Sequence, residues 1–246
     1  MTRPRSWWPD LAFTAAFVAL TALLAGGHLL GVDTAVADWA DAHRPAPLYW
    51  TARVLNYLGQ GGQVLMPVAI LLAAAVAWRT RSIRPVLVFA AAFVLTYVTI
   101  GPLKIWLQRA APRFTGPDRE VLFNDAATGA LGMSYPSGHV ANALVWYGVI
   151  ALLLATLRGG LSPRTLVALR VLPPAIVFAT TTYLSFHWIT DSIAGLFLGL
   201  VLSRLMARVP WDSMPLPFLH NGWERPAGLA PSPVTTRGTA ARSTRP

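Results

Sequence analysis

Six stretches of this chain are long and apolar enough to cross a bilayer, and no other feature limits its fold so strongly. They lie at about 11–30, 63–78, 85–103, 138–157, 165–186 and 189–207, each near the roughly 20 residues that a membrane-spanning helix requires. Hydrocarbon offers a bare peptide group no hydrogen-bond partner, so such stretches cross as helices whose backbone pairs internally. With 54% hydrophobic and 12% charged residues, the chain holds more apolar material than one soluble core uses. The expected architecture is all-α, a polytopic membrane bundle of six transmembrane helices over residues 10–208. A short segment 1–9 precedes it and a tail 209–246 follows.

The formal net charge of +10 suits either a nucleic-acid partner or basic loops collected at one membrane face. Position separates the two. Arg3 and Arg5, then Arg79, Arg81 and Arg84, then Arg158 and Arg164, then Arg204, Arg208 and the tail arginines fall on alternate connections. By the positive-inside rule both termini are cytoplasmic, and the loops 31–60, 104–137 and 187–191 face the non-cytoplasmic side of a cell membrane. No nucleic-acid partner is expected. The first apolar run, preceded by Arg3 and Arg5 and ending near Ala25-Gly26-Gly27, has some look of a signal peptide. Its length exceeds the roughly 7–15 residues of a signal core, which favours a retained span.

Residues 31–60 are too polar to cross the bilayer. Trp50, Val54 and Leu58 recur there at helical spacing, beside Leu55, Tyr49 and Tyr57, which suits either a helix lying in the interface or a cover over the outer end of the bundle. No catalytic role is expected of this loop. The connection 104–137 is long enough that function is expected of it. The tail is rich in Pro, Ser, Thr, Arg and Gly, and disorder is expected; Arg237, Arg242 and Arg245 are there either solvated or in contact with anionic lipid. The absence of cysteine excludes disulfides, thiolate metal sites and cysteine nucleophiles.

Three pieces carry chemistry. Pro136-Ser137-Gly138-His139 stands before the apolar run Val140–Leu157 and reads as a helix start. Ser137 suits the cap, Gly138 permits a close backbone approach, and the unpaired amides with the dipole form an anion cradle. His139, in the first turn, is placed to protonate a leaving oxygen. In His187-Trp188-Ile189-Thr190-Asp191 the spacing of four would put both side chains on one helix face. An Asp there orients the imidazole and leaves its other nitrogen free as a nucleophile. Asp191 opens an otherwise apolar span, where a carboxylate is costly. Lys104 is the sole lysine among 20 basic residues. It lies at the far end of the same outer loop as His139 and binds phosphate as a compact charge.

Together these residues resemble the type 2 phosphatidic acid phosphatase superfamily, which also contains vanadium haloperoxidases and lipid phosphotransferases. The likeness runs over about 10–208. That family's first motif is a Lys, six residues, then Arg-Pro; its second is Pro-Ser-Gly-His; its third is Ser-Arg, five residues, His, three residues, Asp. The second is intact at 136–139. In the first, Lys104 and Pro112 are in register but Ala111 stands at the arginine. In the third, His187 and Asp191 keep their spacing but Thr180-Thr181 replace Ser-Arg. Both family arginines, which hold phosphate oxygens, are therefore missing, and Arg109 and Arg113 are candidates to supply the charge.

The resemblance implies a membrane phosphatase acting on a lipid-linked phosphate or pyrophosphate through a phosphohistidine. His187 is the nucleophile, Asp191 its orienting group and His139 the acid. Lys104, Ser137, Gly138, Arg109 and Arg113 would bind the substrate phosphate. No metal or other cofactor is implied. A phosphodiester carries less negative charge than a monoester, so the missing arginines leave a phosphotransferase or diesterase open, and an inactive family member also. Oligomeric state is not legible in the sequence. Asp118, Glu120 and Asp125 suit a solvated loop face.

Overall fold

The computed structural model describes residues 4–217 and 222–229. Eight helices carry it: α1 (Trp8–Ala25), α2 (Leu30–Ala42), α3 (Ala46–Asn56), α4 (Met66–Thr80), α5 (Arg84–Leu107), α6 (Gly138–Arg158), α7 (Pro163–Tyr183) and α8 (Ile189–Arg208). A wide turn over Gly61–Leu65 extends α4 backward. Among the described residues there is no β-strand, only isolated bridges. Six helices, all but α2 and α3, have the length and apolar composition to cross a membrane.

The third span runs on to Leu107 rather than 103, and two other expected ends draw back. The first span stops at Ala25 rather than near 30, because Gly26 and Gly27 follow and Gly27 turns the chain with φ +78°. The fifth stops at Tyr183 rather than 186, which leaves His187 between helices instead of on one.

At the centre stands α6, packed against α4, α7 and α8. Its approach to α8 depends on glycines. A Cβ on Gly195 would lie 2.5 Å from the Ser137 carbonyl oxygen, and one on Gly199 would lie 2.9 Å from Cα of Ala141. Small residues four apart are what lets membrane helices meet backbone to backbone, and here they press the start of α8 onto the start of α6.

The arginine-rich connections gather at one end of the bundle. Arg79 donates to the Leu157 carbonyl at 2.7 Å, and Arg204 and Arg208 pair with Asp10 of α1. Arg84 donates to the carbonyls of Trp211, Met214 and Glu224. This last contact corrects the expectation of a wholly disordered tail. Trp211, Ala227 and Leu229 are buried in the main core cluster, and the carbonyls of Trp211, Met214 and Glu224 satisfy a buried guanidinium. Arg237, Arg242 and Arg245 lie outside the described residues.

At the opposite end lie α2 and α3. They bury Asp33, Ala37, Ala40, Ala52 and Asn56 against the bundle while exposing Val32, Trp39, Leu48, Trp50 and Val54. An apolar outer face with exposed tryptophans suits the headgroup region of a bilayer. The inner face packs on α7 and α8, so this segment covers that end of the bundle.

Candidate active site

The end of the bundle away from the arginines holds a cavity of about 460 Å³. The start of α6, the end of α5, the turn between α7 and α8, and the segment 53–62 line it. Lys104, His139, His187, Gly138 and Arg113 all face it, together with Arg53, Gln60, Ser134, Asn142 and Phe186. Among the described residues, no carboxylate lines it.

His139 and His187 meet directly, Nδ1 to Nε2, at 3.2 Å. The bonds on either side fix which nitrogen carries the proton. Ser134 Oγ donates to Asp191 Oδ2 at 2.5 Å, so its lone pairs face His187 Nδ1 at 3.1 Å and Nδ1–H donates to them. That leaves Nε2 of His187 with its lone pair, accepting from Nδ1–H of His139. Nε2 of His139 in turn accepts from the Gln60 amide at 3.3 Å. One directed chain thus runs Gln60, His139, His187, Ser134, Asp191, every proton pointing toward the carboxylate.

Asp191 is fully buried, and each oxygen has partners. Oδ2 accepts from Ser134 and from the Trp188 backbone at 2.9 Å. Oδ1 accepts from Arg109 at 2.7 Å. The backbone contact caps α8, so the spacing of four between His187 and Asp191 does not reflect a shared helix face. His187 precedes the helix, and the Asp191 carboxylate in its first turn reaches back to hold the strand-like entry. Burial holds the His187 imidazole below the ordinary histidine range, with Asp191 pulling the other way. A neutral ring is the nucleophilic one.

Arg109 is not in the cavity. Its guanidinium is fully buried and donates to Asp33 at 2.6 Å, Asp191 at 2.7 Å, Thr190 at 2.8 Å and the Glu120 carbonyl at 2.8 Å. Burial disfavours its charge, but Asp191 and Asp33 together outweigh that and raise its affinity for the proton. It was expected to bind substrate phosphate, but it lies outside the cavity lining and its contacts hold Asp191 and Asp33 instead. Asp33 also accepts from the Thr190 amide and hydroxyl, tying α2 to the start of α8.

The phosphate cradle also narrows. Ser137 caps α6 through its hydroxyl, yet its own amide is committed to the Asp191 carbonyl at 2.9 Å and its side chain is fully buried. The first-turn amides of Gly138 and His139, which a helix leaves without intrahelical partners, remain for an anion. Gly138 leaves room for Lys104: a Cβ there would lie 3.2 Å from its Cε, close enough that the lysine would have to shift. Lys104 Nζ is steadied by the carbonyls of Met133 and Ser134 at 2.5 and 3.3 Å.

Sequence reasoning missed Ser134, Gln60, Asp33 and Arg53. The last three come from the loop 31–60, of which no catalytic role was expected. A signal existed only for Asp33, as an acid on an otherwise small-residue helix face. Thr181, at the missing family arginine, is buried and accepts from Asn56 of α3 at 2.7 Å. Among the described residues, no three His, Asp or Glu side chains gather as a metal-holding group.

Comparison with known proteins gives a consistent picture. Residues 85–215, more than half of the chain, match the PAP2 superfamily. The chain is 27% identical over 195 residues to a phosphatidylglycerophosphatase B of Bacillus subtilis (strain 168), covering 77% of this chain and 89% of the relative. A crystal structure of a transmembrane PAP2 type phosphatidylglycerolphosphate phosphatase from Bacillus subtilis superposes with a TM-score of 0.66 at 24% identity. That match covers 81% of this chain and 94% of the other.

Proposed function

The chain belongs to the PAP2 superfamily, and on that premise we propose that it is a membrane phosphatase that hydrolyses a lipid-linked phosphomonoester or pyrophosphate through a phosphohistidine. The observation that carries this reading is the directed chain from Gln60 to Asp191, which presents the lone pair of His187 Nε2 to a cavity containing Lys104. The relative named as a phosphatidylglycerophosphatase supports a lipid substrate.

On substrate entry the His139–His187 bond opens. With His139 charged by a proton taken up with the substrate monoanion, His187 Nε2 attacks phosphorus, the P–O bond to the leaving group breaks, and the His139 imidazolium passes one proton to the departing oxygen and is left neutral. His187 Nδ1–H stays on Ser134, whose hydroxyl transmits the charge of Asp191 to the ring. Water then gives a proton to His139 and attacks the phosphohistidine, releasing phosphate and restoring the neutral ring. Lys104 and the amides of Gly138 and His139 face the equatorial oxygens, where a phosphoryl transition state gathers charge.

Exposed Ile105 and Trp106 adjoin Lys104 on the lipid-facing side of α5, so a lipid reaches the site without leaving the bilayer. The arginines at the opposite end support an outward-facing site by the positive-inside rule. The test is release of inorganic phosphate from a lipid phosphomonoester by the purified protein and by His187→Ala. The reading expects release by the first alone; equal release by both, or by neither, contradicts it.

A further inference from the structure

Two guanidiniums at the mouth of the cavity have no role in the chemistry just described. Arg53 of α3 lies with its guanidinium carbon 5.4 Å from the centre of the Phe186 ring, and Arg113, from the outer loop, lies 4.7 Å from the same ring. Phe186 is thus flanked by two cations and is itself 6.4 Å from the His139 ring. Neither guanidinium makes an ion pair or hydrogen bond among the described residues, and both face the cavity. Their positions are built. Arg53 sits one turn before Asn56, which is buried and bonded to Thr180 and Thr181 of α7. Arg113 follows Ala110, Ala111 and Pro112, all buried, and the Ala111 amide donates to Leu131 at 2.8 Å.

The charge balance shows what they are for. A phosphomonoester carries about −1.5 to −2 at neutral pH. Lys104 supplies one positive charge, and the start of α6 adds about half a charge more. The transferred group is nearly balanced before either arginine is counted. Two further guanidiniums, with no carboxylate in the cavity wall, exceed its need by about the charge of one more phosphate. A guanidinium is also shaped to take phosphate oxygens in pairs, and Arg113 is exposed and Arg53 half-buried where His187 is buried, so both forks stand nearer the opening than the nucleophile.

Resting on the phosphatase reading above, we infer that Arg53 and Arg113 form a second-phosphate subsite: they bind a phosphate of the substrate that is not transferred. The chemistry is shared by two substrate types. In a lipid diphosphate the second phosphate is joined directly to the first. In a lipid carrying a terminal phosphomonoester and an internal phosphodiester, it lies farther along the headgroup.

The experiment measures phosphate release from three substrates: a lipid monophosphate, a lipid diphosphate and a lipid bearing both a monoester and an internal diester. Wild type, Arg53→Gln, Arg113→Gln and the double variant are compared, all checked for an unchanged thermal midpoint. The subsite predicts that KM rises about tenfold to a hundredfold for whichever two-phosphate substrate fits, as loss of a charged hydrogen bond implies. The kcat values and all constants for the monophosphate stay within about twofold, below the scale of one lost charged hydrogen bond. An equal loss on all three substrates means that the arginines clamp the transferred group, and no change on any means solvated side chains; either overturns the subsite while leaving the phosphatase reading intact. Binding gives a readout independent of turnover. In His187→Ala, inorganic diphosphate should raise the thermal midpoint more than orthophosphate does, and Arg53→Gln with Arg113→Gln should abolish the difference. If wild type releases no phosphate at all, the phosphatase reading fails, and equal midpoints in this arm dispose of the subsite separately.

Discussion

His187 and Asp191 do not touch: Nδ1 and Oδ2 stand 3.6 Å apart, and the Ser134 hydroxyl fills the gap, 2.5 Å from the carboxylate and 3.1 Å from the ring. The orienting group of the nucleophile therefore acts through a serine. Ser134→Ala should lower kcat by about ten- to hundredfold, the worth of a lost buried hydrogen bond of roughly 1–3 kcal/mol, with KM little changed. Ser134→Thr, which keeps the hydroxyl, should recover most of the loss. Steady-state kinetics of both variants check this; an unimpaired alanine variant would mean that Asp191 orients the ring without help.

Gln60 fixes the far end of the chain by donating to Nε2 of His139, which keeps that ring's other proton on the side facing His187. Gln60→Leu removes the donor and permits the wrong tautomer. A fall in kcat of about fivefold, equivalent to roughly 1 kcal/mol, is expected with an unchanged thermal midpoint. A lower midpoint with normal kcat would assign Gln60 to packing alone.

Arg109 joins two buried carboxylates, and removing one member of a buried ion pair typically costs about 3–5 kcal/mol because the partner charge is stranded. Arg109→Ala should therefore show a large fall in unfolding midpoint along with lost activity. Because Asp33 shares the network, adding Asp33→Ala should cost less than the sum of the two single losses. Additive losses would show that the two residues act separately.

The pH dependence follows from His187. Attack needs the neutral ring, and burial holds its proton affinity below the ordinary value. Protonation, and with it loss of activity, therefore begins only below the usual histidine value of about 6.5. Asp191 pulls in the opposite direction, so Asp191→Asn should push the acid limb of kcat/KM lower still while reducing the rate across the whole range. A limb at or above about 6.5, or an upward shift in the variant, would contradict this assignment.

What the sequence made legible was local. Pro136 to His139 announces a helix start because the cap, the glycine and the apolar run adjoin one another. Lys104 could be placed near His139 because both close one loop at one membrane surface. The rest depended on tertiary packing. Arg109 and Arg113 look alike in sequence, two basic residues around Ala111, yet one is buried between Asp33 and Asp191 and the other faces the cavity. Nothing in the polar loop 31–60 announces that its packing on α7 and α8 brings Asp33, Arg53 and Gln60 to the site. The spacing of four between His187 and Asp191 was correct as a sign of proximity and misleading as a sign of a shared helix face. Asp191 bonds backward to the Trp188 amide, a capping geometry that sequence spacing does not separate from a helical one.

The central claim is that His187 Nε2 takes the phosphoryl group. It is tested most directly by brief incubation with a lipid phosphomonoester labelled at phosphorus, followed by denaturing quench and separation of the protein. The account predicts label on the protein that is labile to acid and stable to alkali, located on His187 by peptide mapping and absent in His187→Ala. It also predicts accumulation in His139→Ala supplied with an activated leaving group, because hydrolysis of the intermediate then lacks its base. Label on another residue, or phosphate release by His187→Ala at the wild-type rate, would contradict it.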